Sequence, residues 1–283
     1  MISVNDLSYT YSGTKTPALD QISFQINAGE IIAVIGANGA GKSSLCYALS
    51  GFIPHFYRGE YQGQVTIAGK EILNTSLKDI SRKVGIVTQN PLNQISGAKY
   101  TVAEEIVFGM ENLGIEKPIM KSRLENVMVQ LNISGLAYKS PYQLSGGQQQ
   151  KVVIASVLVM NPDVLILDEP TAHLDQSSAE EIFCVLERLS AQGKTIIFSE
   201  HRLDLAARFA NRVMALSKGQ LVLDDTPVNV FNSALLDEHH ISLPQLTSLA
   251  RKARSINLWP EQFALPLNLD DAAEGFTQVL NGN

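Results

Sequence analysis

The sequence predicts an α/β fold built on a parallel sheet, and three observations support this prediction. Apolar runs rich in β-branched residues lie at 31–35, 164–167 and 194–199, as is typical of strands buried on both faces of a parallel sheet. Helical patterns separate these runs, and one of them predicts a helix over 176–191. Each run ends in glycine or in polar residues, at the edge of the sheet where open α/β folds bind their ligands.

The first run leads into a glycine-rich turn with the spacing G-x-x-x-x-G-K-S, from Gly36 to Ser43. Its glycines allow backbone N–H groups to surround a phosphate, and the following helix presents its positive N-terminal end to the same anion. Lys42 is predicted to reach the β- and γ-phosphates, and the Ser43 hydroxyl to ligate Mg²⁺. A chance glycine turn is the alternative, and the flanking strand and helix argue against it. The predicted nucleotide-binding residues of this segment are Gly36, Asn38, Gly39, Ala40, Gly41, Lys42, Ser43 and Ser44.

Polar residues also follow the other predicted strands. Asp168 and Glu169 come after the second buried run, His201 comes after the third, and Gln89 ends a further strand before an Asn-Pro pair. We expect Asp168 to hold Mg²⁺ through water, Glu169 to polarise an attacking water and His201 to contact the γ-phosphate. Gln89 can sense a metal or a water molecule. The alternatives are a structural acid, a structural histidine and an ordinary loop start.

Residues 92–143 lack β-branched runs and predict short helices over 104–110 and 120–131. This pattern indicates a helical insertion, where a partner can dock. The sequence L-S-G-G-Q at 144–148 then opens an apolar helix. Its hydroxyl, bare backbone N–H groups and helix N-terminus favour a second phosphate-binding element, although a simple serine N-cap accounts for the same residue types. The candidate residues of this element are Ser145, Gly146, Gly147 and Gln148.

Residues 2–11 and 18–26 show partial alternation of apolar and polar residues. They predict two antiparallel strands, part of a small β-subdomain ahead of the glycine-rich turn. An aromatic side chain in this subdomain can stack on a nucleotide base. We favour Tyr11, at the strand end beside a turn, whereas Tyr9 fits an aromatic that packs inward at least as well.

The end of the chain has a different character. A hairpin predicted over 213–223 ends the α/β body, and a C-terminal extension follows. A helix in this extension carries Arg251, Lys252 and Arg254. We interpret these three basic residues as a solvated helix face, not as a ligand site.

Composition restricts the function classes. The 283 residues are 45 % hydrophobic and 18 % charged, so we expect a substantial core. The net charge of −6 argues against a general nucleic-acid binder, which needs a basic face. The two cysteines, Cys46 and Cys184, lie in apolar helical patterns. They indicate buried thiols in a reducing compartment, not a disulfide scaffold.

The sequence also predicts a cytoplasmic chain. Its N-terminus lacks the basic and apolar regions of a signal peptide. The longest nearly apolar run, 152–160, is about half of the ~20 residues that a bilayer-spanning helix needs. We therefore expect any membrane association to go through a partner.

Taken in order, these motifs resemble those of the nucleotide-binding subunits of ATP-binding cassette (ABC) transporters, over about residues 1–225. The similar motifs are Walker A at Gly36–Ser43, the Q-loop at Gln89, the signature at Leu144–Gln148, Walker B at Leu165–Glu169, the D-loop at Leu174–Asp175, the switch histidine at His201 and the adenine-stacking aromatic at Tyr11. The resemblance implies a P-loop NTPase (RecA-like) core with an antiparallel β-subdomain. It further implies a nucleotide-binding domain of residues 1–227, with a helical signature subdomain over about 92–150, and a small C-terminal extension of residues 228–283.

The same resemblance implies that the chain binds ATP and Mg²⁺ and hydrolyses ATP. The implied catalytic residues are Lys42, Glu169 and His201, and the implied metal-binding residues are Ser43, Gln89 and Asp168. Members of the family form head-to-tail dimers that hold ATP between the P-loop of one subunit and the signature of the other. Ser145 to Gln148 would then clamp the ATP of a second subunit, and Asp175 would belong to the D-loop at the dimer interface. We expect His173 to point to an inter-subunit turn.

Within this family, the chain is most similar to the ATPases of energy-coupling factor (ECF) importers. The similar stretches are Gln89–Gln94, Ile154–Pro162, Ser199–Arg202 and the helical extension. The similarity implies uptake of a vitamin, a vitamin precursor or a metal ion, by a peripheral subunit at the cytoplasmic face of the cell membrane. The implied partners are a second copy or a related ABC ATPase, a transmembrane coupling subunit and a substrate-binding membrane subunit, with no nucleic acid.

Two other functions are compatible with a P-loop. A soluble ABC ATPase that acts on ribosomes or DNA usually carries tandem cassettes or a long coiled-coil insertion, together with basic surfaces. This chain has one cassette and a net charge of −6. A P-loop kinase for a small molecule leaves the L-S-G-G-Q sequence without an explanation.

Overall fold

The computed structural model describes residues 1–281, and the side chains of residues 1–278. Within these residues the α/β prediction is confirmed. The strands are β1 (Ile2–Tyr11), β2 (Leu19–Ile26), β3 (Ile31–Ile35), β4 (Gly59–Ile67), β5 (Lys70–Glu71), β6 (Val84–Val87), β7 (Val164–Asp168), β8 (Thr195–Ser199), β9 (Arg212–Ser217) and β10 (Gln220–Asp225). The helices are α1 (Lys42–Ser50), α2 (Phe52–His55), α3 (Leu77–Ser81), α4 (Val102–Asn112), α5 (Lys117–Gln130), α6 (Gly146–Leu158), α7 (Gln176–Ala191), α8 (Leu203–Phe209), α9 (Pro227–Asn232), α10 (Leu235–Glu238), α11 (Gln245–Ser255) and α12 (Leu269–Asn281).

In the described part of the chain, the central sheet has six strands in the order β10-β9-β3-β8-β7-β6. Its strands are parallel except for β10, which pairs antiparallel with β9 in the predicted hairpin. Every residue of β3, β7 and β8 is buried, as their continuous apolar runs predict. The register pairs Val34 with Ser199 and Asp168 with Ser199. The carboxyl ends of β3, β7 and β8 therefore lie side by side at one edge of the sheet.

A second, antiparallel sheet has the strand order β2-β1-β4-β5. β1 pairs with both β2 and β4, so it is the centre of the predicted β-subdomain. Its inward side chains, which include Tyr9, form one hydrophobic cluster with Leu45 and Leu49 of α1 and with Ile32 and Val34 of β3. α1 thus packs against both sheets, which fixes the position of the glycine-rich turn at its N-terminus.

The segment between β6 and β7 is helical, as predicted. α4, α5 and α6 pack against one another and contribute to a second large hydrophobic cluster on the opposite face of the central sheet. α4 begins before the predicted residue 104 because Thr101 and Glu104 form a capping box: the Glu104 N–H donates to Thr101 Oγ1 at 3.3 Å, and the Thr101 N–H donates to Glu104 Oε2 at 3.0 Å. Such a cap satisfies backbone groups that would otherwise lack partners.

The extension begins with α9, which packs against α8 and the β9–β10 hairpin. α11 and α12 enclose a small apolar cluster around Trp259, which is 3 % exposed. The prediction of a solvated basic face is wrong for one of its three residues, Arg254, whose side chain is partly buried. Arg251 forms an ion pair with Asp237 at 2.6 Å, and Arg254 donates to the Phe263 carbonyl. None of the helices in the described part of the chain combines the length and apolar character needed to cross a bilayer.

Candidate nucleotide site

A cavity of about 640 Å³ lies at the carboxyl edge of the central sheet, beside the N-terminus of α1. We call it the P-loop cavity. It is lined by Ala18, Asn38, Gly39, Gly41, Lys42, Ser43, Ser44, Gln89, Glu169 and His201. Most of these residues are predicted site residues, and they come from distant parts of the sequence. Ala18 is an addition, which sequence patterns alone gave no reason to choose.

The path of the glycine-rich turn depends on two of its glycines. At Gly36 a Cβ atom would lie 2.3 Å from the Leu216 carbonyl oxygen, and at Gly41 it would lie 2.6 Å from the Ala18 carbonyl oxygen. Both residues also have positive φ, at 149° and 107°. Backbone on both sides therefore confines the turn, and a side chain at either position would push it away.

Lys42 is held against this turn by its own backbone. Its side chain is only 5 % exposed. The ammonium Nζ donates to the carbonyl oxygens of Gly36 and Ala37, at 2.9 and 3.2 Å. Burial lowers the pKa of Lys42, while the nearby carboxylates of Glu169 and Asp168 oppose this shift. The cation thus lies among carbonyl oxygens and two acids, where an entering phosphate would find it already positioned.

Glu169 brings three of the predicted residues together. Its Oε2 accepts a hydrogen bond from Gln89 Nε2 at 2.6 Å, and its Oε1 lies 2.8 Å from His201 Nε2. The backbone of Glu169 has a positive φ of 49°, and its N–H donates to the Ser199 carbonyl at 3.2 Å. A positive φ at a bulky residue is uncommon and is held here by its neighbours. Side chains from the ends of β6, β7 and β8 therefore meet on one carboxylate.

Asp168 lies deeper, at 1 % exposure. Its Oδ1 accepts a hydrogen bond from the Ser199 hydroxyl at 2.6 Å. Ser199 is a functional candidate that the sequence analysis did not select. The signal for it is its place directly before the Glu200-His201 pair, but its contact with Asp168 depends on the pairing of β7 with β8. The bond fixes one carboxylate oxygen and leaves the other for a further ligand.

The donor atoms at this edge fit a magnesium ion. Mg²⁺ prefers hard oxygen ligands and usually keeps several water molecules. Ser43, Gln89 and Asp168 offer a hydroxyl, an amide oxygen and a carboxylate, whereas the described residues contain no group of three or more His, Cys, Asp or Glu side chains that could hold a metal. A magnesium ion at this edge would therefore be ligated by a mixture of protein, phosphate and water oxygens.

Tyr11 is half-buried beside the same helix. Its hydroxyl lies 3.1 Å from Ser44 Oγ, and its ring contacts the Tyr9 ring edge-on with centroids 4.9 Å apart. Tyr9 itself is fully buried and packs inward, as its alternative interpretation predicts. Tyr11 lies outside the set of residues that line the P-loop cavity. Its contact with Ser44 nevertheless connects β1 to the phosphate-binding turn, and its role in base stacking stays a prediction.

The L-S-G-G-Q segment lines a different cavity, of about 710 Å³. We call it the signature cavity. Its lining residues include Ser145, Gly146, Gly147, Gln148, Lys151, His173 and Asp175. None of its lining residues also lines the P-loop cavity. The two predicted phosphate-binding elements of one chain therefore face separate spaces.

Local hydrogen bonds fix the walls of the signature cavity. Ser145 caps α6 in a capping box with Gln148, so the serine N-cap of the alternative interpretation is present. That cap does not account for the two glycines after it, where a Cβ at Gly147 would lie 3.1 Å from a Leu174 methyl group. Asp175 caps α7 by accepting from the Ser178 N–H at 2.7 Å. His173 lines the same cavity and lies against the L-S-G-G-Q segment of its own chain, since a Cβ at Gly146 would lie 3.7 Å from His173 Cβ.

Gln94 stabilises the segment that carries Gln89. Its Oε1 accepts from the Thr88 N–H at 2.7 Å, and its Nε2 donates to the Ile86 carbonyl at 2.9 Å. These bonds replace the strand partners that β6 lacks at its end. Gln94 therefore connects the end of β6 with the start of the helical segment.

The fold and the two cavities define a P-loop ATPase with a separate signature element, the architecture of an ATP-binding cassette. Residues 19–172 match the family model described as ABC transporter, which is more than half of the 283 residues. The chain therefore belongs to the ABC transporter family. It is an ATP-binding and ATP-hydrolysing subunit of a transporter, and its resemblance to ECF ATPases is confirmed by its relatives.

One such relative is the energy-coupling factor transporter ATP-binding protein EcfA of Methanothermobacter thermautotrophicus, 37 % identical over 257 residues that cover 90 % of this chain and 80 % of the relative. Another is EcfA2 of Methanospirillum hungatei, 39 % identical over 258 residues, which cover 90 % of this chain and 63 % of that protein. Among solved structures, the chain is similar to cbiO1 of Clostridium perfringens, part of the ABC transporter complex cbiONQ. The two sequences are 31 % identical and the two structures align with a TM-score of 0.73. The alignment covers 90 % of this chain and 94 % of the cbiO1 chain.

Proposed function

We propose that this chain powers an ECF-type importer for a vitamin, a vitamin precursor or a metal ion, through ATP-driven closure of a dimer. The separation of the two cavities is the observation that carries this proposal. The P-loop cavity and the signature cavity share no lining residue, so one nucleotide in one chain has no contact with both. A head-to-tail dimer with a two-fold axis would bring each P-loop cavity against the signature cavity of the other subunit, and both sites would be complete.

In such a site, each part of the chain has a separate task. Lys42 and the backbone N–H groups of the turn would hold the β- and γ-phosphates. Ser43, Gln89 and Asp168 would hold Mg²⁺, which when bound neutralises charge on the phosphates. The signature residues Ser145 to Gln148 would bind the nucleotide of the other subunit from the opposite side. The second subunit is a copy of this chain or a related ABC ATPase.

The contacts of Glu169 suggest how ATP hydrolysis is prevented before the dimer closes. Both of its carboxylate oxygens already have partners, Gln89 Nε2 at 2.6 Å and His201 Nε2 at 2.8 Å. Release of either partner would free a position beside the carboxylate and make its oxygen more basic, so that Glu169 can orient a water molecule and accept its proton. A γ-phosphate that attracts His201, or a metal ion that attracts Gln89, would provide that release. The carboxylate would then act as base only when the nucleotide is in place.

The helical segment is the part proposed to contact the membrane subunits. It carries large apolar side chains that are exposed, with Leu92 at 51 %, Tyr100 at 88 % and Tyr142 at 59 %. We take these exposed apolar groups as candidate contacts with another protein. We infer that a transmembrane coupling subunit docks here, together with a substrate-binding membrane subunit. The chain would then be a peripheral protein at the cytoplasmic face of the membrane.

Co-purification tests this proposal. The tagged chain is expressed in its own host, membranes are solubilised in mild detergent, and the proteins and nucleic acids that elute with the tag are identified. We expect small hydrophobic transmembrane proteins, and a Tyr100→Ser/Tyr142→Ser variant should recover less of them than a Leu249→Ser control, which changes an exposed apolar residue of the extension. Recovery of rRNA or DNA without membrane proteins would contradict the proposal and favour a soluble ABC ATPase.

A further inference from the structure

Two buried polar residues that were not among the predicted site residues form a hydrogen bond between the loop after β7 and the loop after β8. Thr171 is 1 % exposed and Glu200 is 3 % exposed. The Thr171 hydroxyl donates to Glu200 Oε1. Thr171 follows Glu169 in the segment that leads to Asp175, and Glu200 directly precedes His201. The bridge therefore joins the loop of the predicted base to the loop of the switch histidine.

Glu200 also fixes the backbone around His201. Its Oε2 accepts the N–H groups of His201 at 3.1 Å and of Arg202 at 3.3 Å. One carboxylate thus accepts from three donors, and two of them are backbone amides of the turn after β8. Next to it, Arg202 donates to the Gln176 side chain at the start of α7. The switch histidine lies between two residues that are both attached to the 169–176 segment.

A carboxyl group in this place needs an explanation. Burial is unfavourable for a carboxylate unless hydrogen bonds or a cation compensate for it. Among the described residues, no lysine, arginine or histidine side chain forms an ion pair with Glu200. Burial raises the pKa of Glu200, and the hydrogen bonds from Thr171 and the two backbone amides oppose this. Since an apolar residue of similar volume would fill the space without this unfavourable burial, the bonds of Glu200 have a purpose beyond packing.

We propose that Thr171 and Glu200 are positioning residues for ATP hydrolysis. Their bridge holds the His201 imidazole opposite the Glu169 carboxylate, so that the two groups move together when nucleotide binds. It also connects the switch turn to the D-loop, because Thr171 and Asp175 belong to one short segment. The Thr171 carbonyl accepts from the Leu174 N–H at 3.0 Å, which keeps that segment compact.

The test compares two substitutions of the same kind. Thr171→Val removes the bridging hydroxyl at constant shape, and Thr247→Val removes an equally buried hydroxyl in the extension, which donates to the Pro266 carbonyl at 2.7 Å. Steady-state ATPase activity and ATP affinity are measured on both. We expect Thr171→Val to lower kcat about tenfold with KM changed less than about twofold, and Thr247→Val to leave both unchanged. Comparable kcat values for the two variants would overturn the proposal.

Conservative variants separate positioning from packing. Thr171→Ser keeps the hydroxyl, and Glu200→Gln keeps an acceptor for the two amides and a group that can pair with Thr171. Both should recover most of the activity that Thr171→Val and Glu200→Ala lose. The double variant Thr171→Val/Glu200→Ala should be no slower than the slower single variant, because residues that act through one bond are not additive. Additive losses, or Glu200→Gln as slow as Glu200→Ala, would contradict a shared bridge.

A spectroscopic measurement observes the histidine itself. In protein labelled with ¹⁵N-histidine, the imidazole signals of His201 are assigned by their loss in His201→Ala. Thr171→Val should shift those signals, whereas Thr247→Val should leave them in place. Unchanged His201 signals in Thr171→Val would show that the bridge does not position the imidazole.

Discussion

Glu169 contacts residues from several parts of the site. It accepts from Gln89 and contacts His201, and its own backbone is bonded to Ser199. These three residues are far apart in the sequence: His201 comes 112 residues after Gln89 (201 − 89 = 112). The sheet register brings all three within hydrogen-bond distance of Glu169. A change at this one side chain should therefore affect hydrolysis without removing the phosphate contacts.

Glu169→Gln tests that expectation. The glutamine keeps the size of the side chain but cannot accept a proton from water, so we expect ATP affinity within about twofold of the unsubstituted chain and turnover at least ~100-fold lower. Turnover is measured by phosphate release and affinity by equilibrium titration. Glu187→Gln, on the exposed face of α7, is the matched control. Normal turnover in Glu169→Gln would rule out a role for this carboxylate as the base.

The two cysteines differ in a way that chemistry can detect. Cys46 is fully buried in α1, and burial together with the Asp168 carboxylate raises the pKa of its thiol well above the usual value. A raised pKa lowers the fraction of reactive thiolate at pH 8, and burial excludes the reagent as well. Cys184 is half-buried. We therefore expect iodoacetamide to modify Cys184 in the folded protein and Cys46 only after denaturation, as read by peptide mass spectrometry. Equal rates for both thiols in the folded protein would contradict this account of α1.

Single residues also mark where sequence reasoning ends. Lys42, Asp168 and Glu169 could be selected because their types and spacing fit known chemistry at strand ends. Ser199, Thr171 and Glu200 could not, because each matters only through a partner about thirty residues away in the sequence. Hydrogen bonds of that kind depend on strand register, and no local pattern specifies register.

At the scale of secondary-structure elements, the glycine-rich turn connects β3 to α1 through a narrow passage. The Leu216 carbonyl of β9 lies against Gly36, where a Cβ atom would approach it to 2.3 Å. Gly39 also has positive φ, at 78°, but no heavy atom lies within 4 Å of its Cβ position. Both glycines have a positive φ, but only Gly36 has other atoms close to its Cβ position.

Alanine at each glycine separates the two effects. Gly39→Ala should lower the free energy of unfolding by about 1 kcal/mol, from backbone strain alone. Gly36→Ala should lower it by about 3 kcal/mol, because strain and a backbone clash add. Both values are measured by denaturant unfolding without nucleotide. Equal losses at the two positions would mean that β9 does not confine the turn.

Elements were predicted more reliably than their ends. The prediction for α7 over 176–191 agrees with the structure, since Asp175 provides a strong N-cap. α5 begins at Lys117 and not at 120, because Glu116 and Pro118 start the helix before its apolar pattern begins. The solvated basic face expected on α11 was wrong at Arg254, because the loop before α12 supplies a carbonyl partner for its side chain. Tertiary contacts of this kind cannot be predicted from the sequence of the helix by itself.

At the scale of the whole molecule, one chain holds two half-sites. The P-loop cavity contains the predicted catalytic side chains, and the signature cavity contains a second helix N-terminus framed by the D-loop. The two cavities share no lining residue. In the dimer that we propose, catalysis would depend on both cavities, and nucleotide is the component that would hold the two subunits together.

The most direct test of this account is the mass of the Glu169→Gln protein with and without ATP and Mg²⁺, determined by light scattering during size-exclusion chromatography. A chain of 30.8 kDa should elute at about twice that mass with ATP, and as a monomer with ADP or when Ser145→Arg blocks the signature cavity. Hydrogen exchange on the same samples should show protection of the Ser145 segment only in the dimer. A protein that binds ATP yet stays at the monomer mass, both alone and when mixed with its co-purified partner subunits, with the Ser145 segment unprotected, would contradict the shared-site mechanism.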